Sequence, residues 1–155
     1  MLRRLIVVLL TGFLVLLAGP AYAAPTTTTT TTTKGVVETF VDVVPTCDGG
    51  GPLYTITTTS NAIEHETTFD DGRIHVTFTQ TGTFTAAPLE DPSLPSYTGK
   101  FTTWGGFNAN GSTMNGTFTF NVRGTGSDGS TFSNHNVEHS NQRPDGTVHE
   151  FFRCH

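Results

Sequence analysis

The chain has 155 residues, a length typical of one domain, with 35% hydrophobic residues and a formal net charge of −5. Once Arg3 and Arg4 are removed with the leader described next, six of the eight lysines and arginines remain against thirteen acidic residues, a net charge of −7. So few basic residues form no basic stripe, which argues against nucleic acid and against anionic membranes as partners.

Residues 1–24 follow the pattern of a secretory signal peptide. Arg3 and Arg4 precede an apolar run over residues 5–17, and a small-x-small sequence ends at Ala23. This pattern predicts cleavage after Ala23 or Ala24. Since the apolar run is shorter than the roughly 20 residues that span a bilayer, we expect a secreted, extracellular protein with no membrane anchor after cleavage.

Residues 25–34 form a low-complexity segment, in which Pro25 is followed by eight threonines and Lys34. The segment has no apolar side chain to bury, so it is predicted to be a disordered spacer.

Residues 35–155 have the pattern of a single all-β domain, rich in Thr, Phe, Val and Gly and without helical periodicity. Turn signals separate eight predicted strands, and a proline-rich loop from Pro88 to Pro95 interrupts the tight turns. The strands are residues 35–43, 52–60, 62–70, 73–87, 98–108, 112–125, 130–142 and 147–154. Sequential antiparallel strands predict an eight-stranded up-and-down barrel, which has no exposed edges; a two-sheet β-sandwich is the alternative.

A short repeat supports a curved sheet. The sequence Gly-x-Phe-Thr begins at Gly82, Gly99 and Gly116, at steps of 17 residues. Glycine and phenylalanine two residues apart share one face of a strand, and a neighbouring ring can cover the space that the glycine leaves.

Polar residues are predicted inside this barrel. Two-residue turns at Ser60-Asn61 and Asp71-Gly72 would turn positions 54, 65 and 80 inward, and the last two hairpins would add positions 139 and 153. These residues predict a pocket for a small, partly apolar ligand. The candidate binding residues are Tyr54, His65, Gln80, His139 and Arg153.

The register of the last hairpin has an alternative. A slip of one residue places Phe132, Val148 and Phe152 inside and turns His139 and His149 to the solvent.

The two cysteines, Cys47 and Cys154, are predicted to form a disulfide in an oxidising compartment. By the chain-entropy model a loop of this length contributes up to about 4–5 kcal/mol. No C-x-x-C spacing indicates zinc. His135 and His139, four apart on a strand, lie about 13 Å apart and cannot share an ion, and His139 with His149 lacks a third ligand, so no metal or cofactor is predicted.

Three functions remain open. The first is ligand binding inside the barrel. The second is an isomerase or cyclase on the same barrel, although the chain has no nucleophile motif. The third is a cell-surface or matrix protein with a solid core. On its outer face a threonine array over residues 77–85 and an exposed Trp104 would bind sugar or ordered water.

The Gly-x-Phe-Thr strands, the segment from Leu94 to Phe101 and the terminal Phe152-Arg153-Cys154 resemble uncharacterised secreted β-barrel proteins of actinobacteria. This resemblance implies a compartment and carries no activity. By architecture alone, the predicted barrel is similar to lipocalin, allene-oxide-cyclase and dirigent barrels. The chain has no lipocalin G-x-W motif near the mature N-terminus, and no cyclase or dirigent catalytic residue maps onto it.

Overall fold

The computed structural model of the protein describes residues 26–44, 47 and 50–155. The predicted signal peptide lies outside the described residues. Within them the chain forms seven β-strands. The strands are β1 (Thr27–Val43), β2 (Leu53–Thr68), β3 (Arg73–Pro88), β4 (Tyr97–Asn110), β5 (Thr113–Gly126), β6 (Thr131–Gln142) and β7 (Val148–Cys154). No helix among these residues is long and apolar enough to cross a membrane.

The seven strands form one antiparallel sheet in chain order. The all-β prediction is confirmed, but the strand count of eight is wrong because the chain does not turn at Ser60-Asn61. Strand β2 runs straight through these residues. The side chain of Asn61 instead accepts a hydrogen bond of 2.9 Å from the backbone N–H of Gly35. Gly35 has φ +63° and lies where the pairing of β1 with β2 shifts, so Asn61 marks a bulge in the neighbouring strand.

The threonine run, predicted to be a disordered spacer, forms the first half of β1. Thr27 to Thr33 pair residue by residue with Thr68 to Ala62 of β2. Threonine is a good strand former, and main-chain hydrogen bonds to a long neighbour need no apolar side chain. The prediction failed because it assigned residues 62–70 to a separate strand and left the run without a partner.

The sheet is not closed into a barrel, since β1 and β7 are its two edges. It is also not a two-sheet sandwich. The predicted disulfide joins Cys47, just after β1, to Cys154 at the end of β7, with 5.4 Å between their Cα atoms. In a flat sheet of seven strands the edges would lie roughly 29 Å apart. The sheet therefore curls until its two edge regions are covalently linked at one end.

The hydrophobic core lies on one face of the curled sheet, which we call the core face. Its centre is formed by the buried residues Tyr54, Ile56, Phe84, Phe101 and Val122. Val44 is also buried in this cluster. Because side chains alternate along a strand, the residues between these positions lie on the opposite face, which we call the outer face.

Three turns share one geometry that sets the register. In each, Asp precedes a glycine with φ near +80° (80°, 83° and 81°), and the aspartate Oδ1 accepts the backbone N–H two residues on. The three-residue loops are 70–72, 127–129 and 144–146, since the residues on either side of each loop are bonded through their backbones. The expected two-residue turns at Asp71-Gly72 and Asp128-Gly129 are therefore wrong by one residue. One residue is enough to exchange the two faces of a strand.

Candidate functional site

The five residues predicted to form one interior pocket lie on two different faces. Tyr54 and Gln80 are on the core face, but His65 pairs with Thr77, and both point outward. In β6 the buried Asn136 shows that the even-numbered residues face the core, so the odd-numbered His139 lies on the outer face. Arg153 of β7 pairs with Val137 and lies on the outer face as well. Phe132, not His139, therefore faces the core. The one-residue shift lies in the pairing of β5 with β6, whereas the last hairpin has the expected register, with His139 opposite Phe151.

On the core face, Tyr54 is 3% exposed and packs edge-to-face against Tyr97, with ring centroids 5.8 Å apart. Burial, reinforced by Tyr97 and two nearby aspartates, raises the pKa of Tyr54 above its ordinary value. The side-chain amide of Gln80 donates a hydrogen bond of 2.9 Å to the Ser60 hydroxyl. These contacts are typical of satisfied core residues.

The outward-facing candidates contact side chains on the outer face, His65 and His139 across to neighbouring strands and Arg153 within its own strand β7. His65 Nδ1 lies 2.8 Å from the Thr30 hydroxyl, and His139 Nδ1 lies 2.9 Å from the Thr117 hydroxyl. The Arg153 guanidinium lies 5.6 Å from the centroid of the Phe151 ring. These three groups therefore belong to the outer surface and do not converge on one point.

The interior has little free space. A cavity of about 60 Å³ lies between β1 and the aromatic side chains of the core, lined by Phe40, Ile56, Phe84, Phe101 and Phe120 among others. Pockets that enclose small organic ligands measure about 300–1,000 Å³. Two rings of the Gly-x-Phe-Thr repeat, Phe84 and Phe101, line this small cavity.

The larger depressions are at the surface. One of about 600 Å³ lies beside the turns at the end of the sheet, near Arg73 and Arg143. Another, of about 780 Å³, lies on the outer face across β2 to β6; we call it the outer-face groove. Its polar lining includes Thr59, Thr83, Lys100, Thr102, Asn121 and Arg123.

The outer-face groove is rich in hydroxyl and amide groups. Such side chains both donate and accept hydrogen bonds, so they can match a ligand with many hydroxyl groups. His135 and His155, which line one end, are held together by two backbone hydrogen bonds of 2.9 Å each. Asn121 Oδ1 is hydrogen-bonded to His135 Nδ1, which orders this end of the groove.

Trp104 lies on the outer face of β4, two residues along the strand from Thr102. Its neighbours across the sheet are Thr79 and Thr119. The side chain is 38% exposed, so part of the indole is available to a ligand that also contacts the groove. The sequence predicted both Trp104 and the Thr77–Thr85 array on this face, and the pairing of β3 with β4 confirms it.

Lys100 and Arg123 were missed as candidates, although the sequence carries a signal for them. Lys100 occupies the variable position of Gly99-Lys100-Phe101-Thr102, between two residues that face the core. The repeat therefore places it on the outer face, and its partner across β5 is Arg123.

Metal binding finds no support in the described part of the chain, where no group of three His, Cys, Asp or Glu residues could hold an ion. The chain matches no known family model, no curated protein and no solved structure.

Proposed function

We propose that this is a secreted binding protein without catalytic activity, which holds a polysaccharide chain in the outer-face groove. The observation that carries the proposal is the contrast between the two faces. The interior leaves about 60 Å³, while the outer-face groove offers about 780 Å³ of open, hydroxyl- and amide-lined surface. An open groove suits a long chain that passes through it, whereas a small molecule is bound best when it is enclosed.

The chemistry of the groove matches a carbohydrate. Thr59, Thr83, Thr102 and Asn121 supply donors and acceptors for sugar hydroxyl groups. The exposed part of Trp104 supplies a flat apolar surface against which the C–H face of a sugar ring packs. The groove rests on a hydrogen-bonded sheet, so little conformational entropy is lost when a ligand binds.

An isomerase or cyclase fits the structure less well. Such an enzyme would hold its substrate in an enclosed apolar cavity beside a proton donor, and the polar candidates for that role lie on opposite faces. Binding without chemistry needs only the surface that the outer face already presents.

The test uses the single tryptophan of the chain. Trp104 fluorescence of the mature protein is measured while soluble polysaccharides are added: a linear β-glucan, a xylan, polygalacturonate and its methyl ester. We expect at least one polymer to change the emission in a saturable way.

Calorimetry then compares Trp104→Ala with Phe151→Ala. Trp104 is two residues from Thr102 of the groove lining, whereas the control Phe151 is 52% exposed on the edge strand β7. The proposal predicts that Trp104→Ala weakens binding at least tenfold and that Phe151→Ala leaves it unchanged. It is overturned if no polymer binds, or if Trp104→Ala binds as tightly as the unaltered protein.

A further inference from the structure

The two faces of the sheet carry opposite charges. Every Asp and Glu side chain within the seven strands lies on the core face, in register with residues such as Tyr54, Val76 and Phe118. These carboxylates are Glu38, Asp42, Glu64, Glu66, Glu138 and Glu150. The outer face carries Lys100, Arg123 and Arg153 together with all six histidines of the chain. Although the protein is acidic overall, the outer face of its described strands carries no carboxylate side chain.

Lys100 and Arg123 form the centre of this charge pattern. They are direct cross-strand partners on β4 and β5, and both line the outer-face groove. Like charges placed opposite one another in a sheet are destabilising. Neither side chain forms an ion pair or hydrogen bond with another described residue, whereas Arg73 is paired with Asp71 at 2.7 Å. Among the described residues the pair thus has no counter-charge, and the rest of the groove's polar lining is mostly hydroxyl and amide side chains, with His135 and His155 at one end.

We infer that the polysaccharide is anionic and carries carboxylate groups, one of which binds between Lys100 and Arg123. This inference rests on the proposed function and names the class of its ligand. An arginine guanidinium offers parallel N–H donors that match a carboxylate, and a lysine ammonium adds a second, adaptable contact. A bound carboxylate would also relieve the repulsion between the two cations.

The same face is poorly suited to nucleic acid. Binding to a phosphate backbone takes many regularly spaced cations, and the groove has two from lysine and arginine. Thr59, Thr83 and Thr102 fill positions where a nucleic-acid surface would carry further charges. Sugar hydroxyl groups with an occasional carboxylate fit this mixture better.

The experiment compares polygalacturonate with its methyl ester, because esterification removes the carboxylate charges and leaves the sugar backbone and its hydroxyl groups unchanged. At low ionic strength the acid form is expected to bind at least tenfold more tightly, and added salt should remove the difference. Arg123→Gln and Lys100→Gln are each expected to weaken binding of the acid form at least tenfold. Arg143→Gln, which removes a cation outside the groove, is the matched control and should have no effect.

Each outcome separates the two proposals. If the acid and the ester bind equally, or if only a neutral polysaccharide binds, the ligand class is wrong and carbohydrate binding stands. If single-stranded DNA binds as tightly as polygalacturonate, the surface is a general polyanion site and the assignment to carbohydrate is overturned. If no polysaccharide binds at all, both proposals fail.

Discussion

Phe84 on β3 lies directly opposite Gly99 on β4, and its ring occupies the space that a side chain at Gly99 would need. A Cβ atom added to Gly99 would lie 2.5 Å from the Phe84 ring and 2.1 Å from the Arg123 carbonyl oxygen. The relationship is reciprocal, since Phe101 lies opposite Gly82 and covers it in the same way. Two copies of the Gly-x-Phe-Thr repeat thus interlock, which is how a short sequence repeat fills the core.

Gly99→Ala is therefore expected to destabilise the fold by about 1–3 kcal/mol or more, the usual cost of overpacking a core. Urea unfolding followed by circular dichroism measures the change. Gly50→Ala is the control, because a Cβ at that glycine meets no atom within 4 Å. Equal stability of the two variants would show that the glycine–ring contact has no structural role.

The disulfide is the covalent link between the two edge regions of the sheet. Replacing both Cys47 and Cys154 by serine is expected to lower the free energy of unfolding by up to about 4–5 kcal/mol. In this variant strand β7 is held by its pairing with β6 alone. Its amide hydrogens should therefore exchange faster than those of β4 and β5. Unchanged thermal stability together with unchanged exchange in β7 would contradict this role.

The turn aspartates predict a loss of stability in acid. The hydroxyl and then the backbone N–H of Ser130 hold the pKa of Asp128 below its ordinary value, and Ser93 and Thr147 act similarly on Asp91 and Asp145. Because the folded pKa is lowered, the unfolded chain binds protons first as the pH falls. The stabilisation is therefore complete above the ordinary aspartate value and is lost as the pH falls through the folded one.

Thermal unfolding between pH 5 and pH 2, a range around the ordinary aspartate pKa of about 3.9, tests this dependence. Asp128→Asn keeps an acceptor oxygen for Ser130 but removes the titration, so its midpoint should fall less steeply in acid than that of the unaltered protein. Asp70→Asn, at an aspartate with no such turn hydrogen bond, should keep the full acid dependence. The explanation fails if both variants follow the same curve.

Amide exchange in the threonine run distinguishes the observed strand from the disordered spacer that the sequence predicted. In the structure, main-chain pairing of Thr29 to Thr33 with β2 should slow exchange at the alternate amides that bond to β2 to rates well below those of an unstructured peptide, while the amides on the open edge exchange fast. Hydrogen–deuterium exchange with mass spectrometry of the mature protein measures this directly. Exchange at the unstructured rate would restore the interpretation of this segment as a spacer.

Much of the fold is predictable from local patterns. The all-β class, the meander and the outward position of Trp104 follow from alternation and turn residues. The disulfide follows from the presence of two cysteines in a chain expected to be secreted. The pairing across Asn110-Gly111 differs from the expected one by two residues, a shift that keeps the same residues on the core face.

The candidate site was predicted poorly because it depends on which of the two faces of a strand each side chain occupies, and an error of one residue in a turn exchanges the faces. The Asp-Gly turns after β2 and β5 hold three residues where two were expected, and this moved His65 and His139 from the core face to the outer face. The pair Asp-Gly suits both the two-residue turn and the three-residue loop with a left-handed glycine, so the sequence alone did not decide between them. The count of eight strands failed for a different reason, because residues 53–68 form the single strand β2, whose second half pairs with Thr27 to Thr33.

The central claim is that the ligand binds outside the sheet and not within it. Nuclear magnetic resonance of protein labelled at threonine, isoleucine and valine methyl groups distinguishes the two faces while polygalacturonate is added. The account predicts shift changes at Thr59, Thr83 and Thr102, with Ile56 and Val44, which line only the interior cavity, unaffected. Changes confined to Ile56 and Val44 would place the ligand in the interior and contradict it.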